Sequence, residues 1–361
     1  MEYSLHQTGR ASIDFLIDLR LQSNRLEPLT DEFAKASGVL DESRLAAIDC
    51  EDMDAIQAHV APVMHQSRKF RMLRLMRDWT LAQHGHIAMN TFEEIRGELE
   101  PQLRALQDGP TRITYAPDLD PPAYWDGYEF HRSAGGWDGH DFMGFVHGEL
   151  IHSKMVDDTF ANIIFKTRSD MARLSQLESP ERILDLGCGS AQYTLGLADA
   201  YPEAQLWGCD LSPRQLEQAQ RRANERGLSW NLFVAAAEDT GFEGEQFDLV
   251  TSYAMFHELP ASVARAVIRE AHRLLKPGGS LLIADVKAYH VQDLYSRWKA
   301  DYWNQVHGGD PFWREYATTD FGALATDVGF DDAMWFGVGP GDYPFVLMAR
   351  KANADSDRQP A

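Results

Sequence analysis

Residues Arg182 to Ala198 read RILDLGCGSAQYTLGLA. An apolar run ends at Asp185-Leu186, a turn Gly187-Cys188-Gly189 follows, and a helix-compatible stretch begins near Ala191. The order is strand, tight loop, helix. Glycine tolerates backbone angles closed to other residues and lets a ligand approach the main chain, so Gly187 and Gly189 mark a ligand cradle. A dinucleotide fingerprint needs a third glycine where the helix packs on the strand, and Gln192 stands there instead. A phosphate-binding loop needs Gly-Lys-Ser/Thr, and no lysine follows. Both absences point to a ligand with no phosphate to cradle.

Downstream of this stretch, short apolar runs alternate with helical ones, the pattern of parallel strands joined by crossover helices. The runs are Ile183 to Leu186, Leu206 to Cys209, Asn231 to Ala235, Phe247 to Ser252 and Ser280 to Val286. Ala333 to Val338 and Pro344 to Arg350 follow a candidate helix, Asp320 to Val328. The expected fold class is α/β, a doubly wound and mostly parallel sheet of seven strands. Upstream, Ile13 to Leu21, Phe92 to Leu106 and the series Phe70, Leu73, Met76, Leu81 carry apolar residues at helical spacing. Pro117 to Gly148 is rich in Pro, Gly, aromatics and His, which reads as an irregular lid, and a helix from Glu149 to Leu177 should lead out of it. The expected division is a mainly α-helical N-terminal domain over 1–178, the sheet domain over 179–351 and a frayed tail over 352–361.

Asp210 lies 25 residues after Asp185, at the carboxyl end of the second strand, where a carboxylate can accept from both ribose hydroxyls. AAAEDTGF then places Glu238 and Asp239 after the third strand, and FDLVTSYAMFHELP and HRLLKPGGSLLIADV supply the fourth and fifth. Over roughly Arg182 to Arg350 this order of motifs resembles the class I S-adenosylmethionine-dependent methyltransferases, with their Rossmann-like sheet. The resemblance implies S-adenosyl-L-methionine as cofactor. It also implies that Gly187 and Gly189 line its methionine part, that Asp210 holds the ribose and that Leu211 packs on adenine. Ala236 stands where the family often has an acid for the adenine amine, which moves that role toward Glu238 or the backbone. Ser252 completes the candidate cofactor set. Asp185 either contacts the cofactor amine or orders the loop through backbone hydrogen bonds.

Methyl transfer from a sulfonium requires alignment, and a base when the acceptor is not already nucleophilic. His257, in Met255-Phe256-His257-Glu258-Leu259-Pro260, follows the fourth strand on the cofactor side and is the candidate base. The segment resembles the His-Asp/Glu element of small-molecule O-methyltransferases, which also carry a helical, dimer-forming domain before the cofactor domain. That resemblance makes O-methylation of a small-molecule hydroxyl the leading expectation, with a homodimer through the helical half. Two alternatives stand beside it: C-, N- or S-methylation of an already nucleophilic acceptor, and a non-catalytic subunit that keeps the fold. If a helix has begun at His257, Glu258 cannot share its face, so a strict His-Glu dyad is not implied. Tyr128, Trp137, His140, His147, Trp298 and Tyr302 are the candidate acceptor residues. His140, His147 and His152 match no metal-ligand spacing, and no metal is expected.

Bulk properties narrow the partners. A formal charge of −21 disfavours nucleic acid, whose binding needs Lys and Arg to replace counterions. The basic run Arg68, Lys69, Arg71, Arg74 and Arg77 reads as a solvated or ion-paired face. No apolar run approaches the roughly 20 residues that span a bilayer, so no membrane partner is expected. The start lacks a secretory signature, and Cys50, Cys188 and Cys209 form no paired set, so reduced thiols in a cytoplasm are expected.

Overall fold

The computed structural model describes residues 3–156, 159 and 168–353. Its strands are β1 (Arg112–Thr114), β2 (Arg182–Leu186), β3 (Gln205–Asp210), β4 (Asn231–Val234), β5 (Phe247–Tyr253), β6 (Leu275–Asp285), β7 (Phe330–Gly337) and β8 (Phe345–Lys351). They form one sheet in the order β1-β4-β3-β2-β5-β6-β8-β7. The first six are parallel, and β8 runs antiparallel to both β6 and β7. The doubly wound α/β expectation holds, with eight strands in place of seven. The extra strand is β1, whose three residues are too few to show an alternating pattern. It comes from the helical half and pairs Arg112 with Asn231.

Strand pleating explains the two cores. Ile183, Leu282 and Val346 enter one cluster, while their neighbours Leu184, Ile283 and Leu347 enter the other. Such runs, apolar on both faces, are what a parallel sheet covered by helices requires. Helices Gln192–Ala200 and Pro213–Glu225 cover one face through Leu197, Leu216 and Ala219. Ala261–Leu274 and Phe321–Val328 cover the other through Val267, Ile268 and Leu324. The second helix starts where Ser212 accepts from the Gln215 N–H at 3.1 Å, with proline at its first turn.

The upstream half is helical as its periodicity predicts: Gln7–Asn24, Glu27–Ala36, Met53–Met64 and a 38-residue helix, Arg68–Ala105. The two apolar series around Phe70 and Phe92 are parts of this one helix. Ile56, Val60, Met64 and Phe70 share a core with Leu184, Ile283, Trp298 and Tyr302. The change of pattern near Ser179 therefore marks no gap in the packing. The helix expected over 149–177 differs: Val146–Val156 is a wide π-type helix and Arg168–Arg173 an α-helix. Residues 157–158 and 160–167 of that expectation, and 354–361 of the expected tail, lie outside the described residues. Arg77 pairs with Glu27 and lies 4.7 Å over the Trp303 ring, and Arg74 pairs with Asp78 at 3.3 Å, so these two basic groups serve local structure. No helix among the described residues is long and apolar enough to cross a membrane.

Candidate active site

The chain winds outward from β2 through β3 to β4 on one side, then returns to β5 and β6 on the other, which opens a crevice at the carboxyl ends of β2 and β5. A cavity of about 290 Å³ lies there. Its floor is the glycine loop. Gly187 (φ +65) and Gly189 (φ +52) take left-handed angles. A Cβ on Gly187 would stand 2.3 Å from Met255 Sδ, while one on Gly189 would meet nothing within 4 Å. The left-handed angle favours glycine at both positions; at Gly187 a side chain would also displace Met255, and Gly189 has open space.

Two carboxylates, the buried Asp185 and the half-buried Asp210, brace this loop. Asp185 accepts from Thr194 Oγ1 at 2.7 Å, tying β2 to the following helix, and burial pushes its carboxyl up to about 7. Asp210 ends β3 and accepts from the Gly189 and Ser212 N–H groups at 2.9 and 2.8 Å. Burial outweighs these two donors and holds Asp210 at about 6. Asp185, Asp210 and Leu211 all line the cavity.

Opposite the loop, Phe256–Glu258 make a three-residue 3-10 turn after β5. Asp285, the last residue of β6, accepts from the Phe256 N–H at 2.7 Å and from His257 Nδ1 at 2.6 Å. The end of β6 thereby fixes the imidazole. Burial opposes charge on His257, but the Asp285 carboxylate outweighs it and raises the imidazole above its ordinary value. No regular helix has begun here, so the helical-face argument that separated His257 from Glu258 does not apply. His257 Nε2 and Glu258 Oε1 are 3.9 Å apart, and both residues line the cavity.

His131 reaches the same point from the irregular segment. It sits in a turn where both His131 (φ +54) and Arg132 (φ +56) are left-handed, a conformation that costs ordinary residues on the order of 1 kcal/mol or more. Its Nε2 is 2.9 Å from Glu258 Oε1 and its Nδ1 2.7 Å from Asp310 Oδ1. Burial opposes charge on His131 too, yet Asp310 and Glu258 hold it well above the usual imidazole range.

Of the six acceptor candidates, the structure brings two to the cavity. Trp137 and His147 meet edge to face at 4.2 Å, and burial keeps His147 neutral. Tyr128 is exposed and packs on Phe130 and Phe312. His140 turns away to Glu93, 2.7 Å distant. Trp298 and Tyr302 are buried against Phe70 in the core, because their four-residue spacing faces the N-terminal helices. Two cofactor candidates are also set back. Glu238 accepts from Tyr124 Oη at 2.8 Å, and it is Tyr124 that lines the cavity. The buried Ser252 hydroxyl donates to the Leu186 carbonyl at 2.8 Å, bracing β5 against β2. Sequence reasoning misses Asp285 and Asp310, and reaches His131 only as one of the histidines of the irregular segment that the acceptor pocket draws on. An acid ending an apolar strand, in LLIAD, was the one available signal.

The family model described as "Methyltransferase domain" matches residues 183–279, which hold the glycine loop, Asp210 and His257. Residues 183–279 therefore form a methyltransferase domain, of the class I, S-adenosylmethionine-dependent type. The chain is 36% identical over 129 residues to the malonyl-[acyl-carrier protein] O-methyltransferase of Legionella pneumophila, covering 36% of this chain and 44% of that protein. It is 33% identical over 116 residues to a demethylmenaquinone methyltransferase of Geobacillus stearothermophilus, covering 32% and 49%. With the 27-O-demethylrifamycin SV methyltransferase of Amycolatopsis mediterranei it shares 30% over 150 residues, 40% and 54% of the two chains. The chain spans about half the length of these relatives. The residues present fit the cofactor of this family. The buried side-chain nitrogen of Gln215, on the cavity wall, has no partner among the described residues, and Leu211, Ala235 and Ala237 supply an apolar wall beside it.

Proposed function

We propose that this chain transfers a methyl group from S-adenosyl-L-methionine to a hydroxyl of a small-molecule acceptor, with His257 as general base. The observation that carries the reading is the His257–Asp285 pair, 2.6 Å apart, in the same cavity as the glycine loop. When bound, S-adenosyl-L-methionine supplies an electrophilic methyl group on a sulfonium. Gly187 and Gly189 would hold its methionine part, Asp210 its ribose hydroxyls and Leu211 its adenine. In the neutral ring Asp285 accepts a hydrogen bond from Nδ1–H, which leaves the Nε2 lone pair to take the acceptor's proton, and the imidazolium formed is stabilised by Asp285 and Glu258. Trp137 and His147 would enclose the acceptor. The O-methylation named for two of the relatives supports an oxygen acceptor, and the charge of −21 supports an acceptor other than nucleic acid.

The test pairs calorimetry with turnover. His257→Ala should bind S-adenosylhomocysteine within about threefold of wild type while methylation across a panel of hydroxylated aromatics falls ~100-fold or more. Unchanged turnover would remove His257 as base.

We also infer a homodimer through the helical half, in a cytoplasm where Cys50, Cys188 and Cys209 stay reduced. Phe15, Met72, Leu75 and Trp79 are exposed on two neighbouring helices, with Phe15 and Trp79 edge to face at 5.6 Å. A second copy would cover this apolar face. Light scattering should give twice the chain mass, and Leu75→Glu should give a monomer. A wild-type monomer would exclude the dimer.

A further inference from the structure

His131, Glu258 and His257 bring three ligand-type atoms within 4.8 Å of one another, from turns 126 residues apart in the chain. Among the described residues no other such cluster of His, Cys, Asp or Glu occurs. All three side chains line the cavity that holds the glycine loop.

The outer partners sharpen what this point can hold. Each imidazole has its Nδ1 beside a buried carboxylate: His257 hydrogen-bonds Asp285 at 2.6 Å, and His131 lies 2.7 Å from Asp310 Oδ1 in ion-pair contact. The two Nε2 atoms face Glu258 Oε1, at 3.9 and 2.9 Å. In the neutral rings with the proton on Nδ1, both Nε2 lone pairs turn toward the carboxylate, and one cation at the centre would serve all three; a proton on His131 Nε2 is the competing occupant of the 2.9 Å contact. A carboxylate behind each histidine is also the pattern that fixes ring orientation and basicity in metal sites. Metal–ligand distances of ~2.0–2.1 Å put neighbouring ligand atoms ~3.0–3.4 Å apart, so the observed separations need only small side-chain rotations to close on an ion.

We propose that His131, His257 and Glu258 bind one divalent first-row transition-metal ion at the acceptor end of the cavity. Two imidazoles with one carboxylate favour such an ion over magnesium or calcium, which prefer all-oxygen sites. Three protein ligands leave further positions facing the cavity. An acceptor would bind there through its hydroxyl oxygen, and a chelating acceptor with two adjacent oxygens fits best. The proposal rests on the small-molecule hydroxyl reading above and changes one part of it. With the ion in place His257 is a ligand, and the acceptor loses its proton because its oxygen is bound to the ion.

The left-handed pair His131-Arg132 supports the assignment, since it holds His131 in a conformation ordinary turns avoid. Nearby, a Cβ on Gly309 would lie 2.8 Å from the Arg132 backbone nitrogen. The chain is therefore built closely around this turn.

The experiment uses the full chain, stripped with a chelator and titrated with Co²⁺, alone and with S-adenosylhomocysteine. One ion per chain should bind, with visible absorption bands of a nitrogen-ligated ion. His131→Ala and Glu258→Gln should each weaken binding at least tenfold, and Asp310→Asn 10- to 100-fold. S-adenosylhomocysteine binding reports that each variant is folded. Pulsed electron paramagnetic resonance on the Cu²⁺-loaded wild type should count two imidazoles and needs no variant. Absence of saturable Co²⁺ binding, binding indifferent to His131 and Glu258, or no coupled imidazole would overturn the proposal and leave a proton as the bridging group. Failure of the wild type to bind S-adenosylhomocysteine would instead strike the methyltransferase reading.

Discussion

Asp185→Asn isolates the electrostatic strain stored under the cofactor loop. Asp185 is buried at the end of β2 and accepts one hydrogen bond, from Thr194, so burial pushes its carboxyl from 3.8 up to about 7. A carboxyl raised on folding favours the native state in its neutral form. That stability is complete below the unfolded pKa and is lost as pH rises through about 7. Linkage with these two values gives a loss of ~1.7 kcal/mol by pH 5 and ~4.3 kcal/mol by pH 8, or ~2.6 kcal/mol between them. Asparagine keeps the shape and an oxygen for Thr194 but cannot ionise. Urea unfolding of the cofactor-free chain at the two pH values measures the difference. The variant should gain roughly 2–3 kcal/mol on wild type between pH 5 and pH 8. An equal stability difference at both would show that Asp185 does not ionise against burial, and the reasoning would fall.

Further outcomes follow from the same geometry. Asp285→Asn should lower turnover by ~100-fold or more by losing the acceptor that fixes His257, with S-adenosylhomocysteine affinity unchanged by calorimetry. Because Asp210 is held at about 6, affinity for S-adenosylhomocysteine should weaken as pH falls below that value, since only the ionised carboxylate accepts fully from both ribose hydroxyls; a flat profile from pH 5 to 8 would contradict it. Trp298→Ala should cost ~3–5 kcal/mol of stability, being buried beside Phe70 and Tyr302, without changing the acceptor KM; a KM effect alone would place Trp298 back at the acceptor.

The parallel sheet was legible because its strands are buried on both faces and read as short apolar runs between helices. The cofactor end was legible for a related reason: Gly187, Gly189 and Asp210 occupy positions set by strand ends, and strand ends are visible in the pattern. The acceptor end was not. Trp298 and Tyr302 carry the same signature whether they clamp a ligand or fill a core, and the positions of helices Met53–Met64 and Arg68–Ala105 decide it. His131 and Asp310 meet through two loops whose path no periodicity records. The α-helical face rule does not separate Glu258 from His257, because Phe256–Glu258 is a three-residue 3-10 turn with Nε2 and Oε1 3.9 Å apart. Strand β1 was missed because three residues leave no alternation to read.

The central claim is that the cavity over Gly187 to Gly189 is a cofactor site completed by Asp210. Isothermal titration of S-adenosylhomocysteine into the wild-type chain and into Asp210→Ala tests it most directly. Wild type should show saturable one-to-one binding, and the variant, still folded, at least a tenfold weaker affinity. No binding by wild type, or equal binding by both, would contradict it.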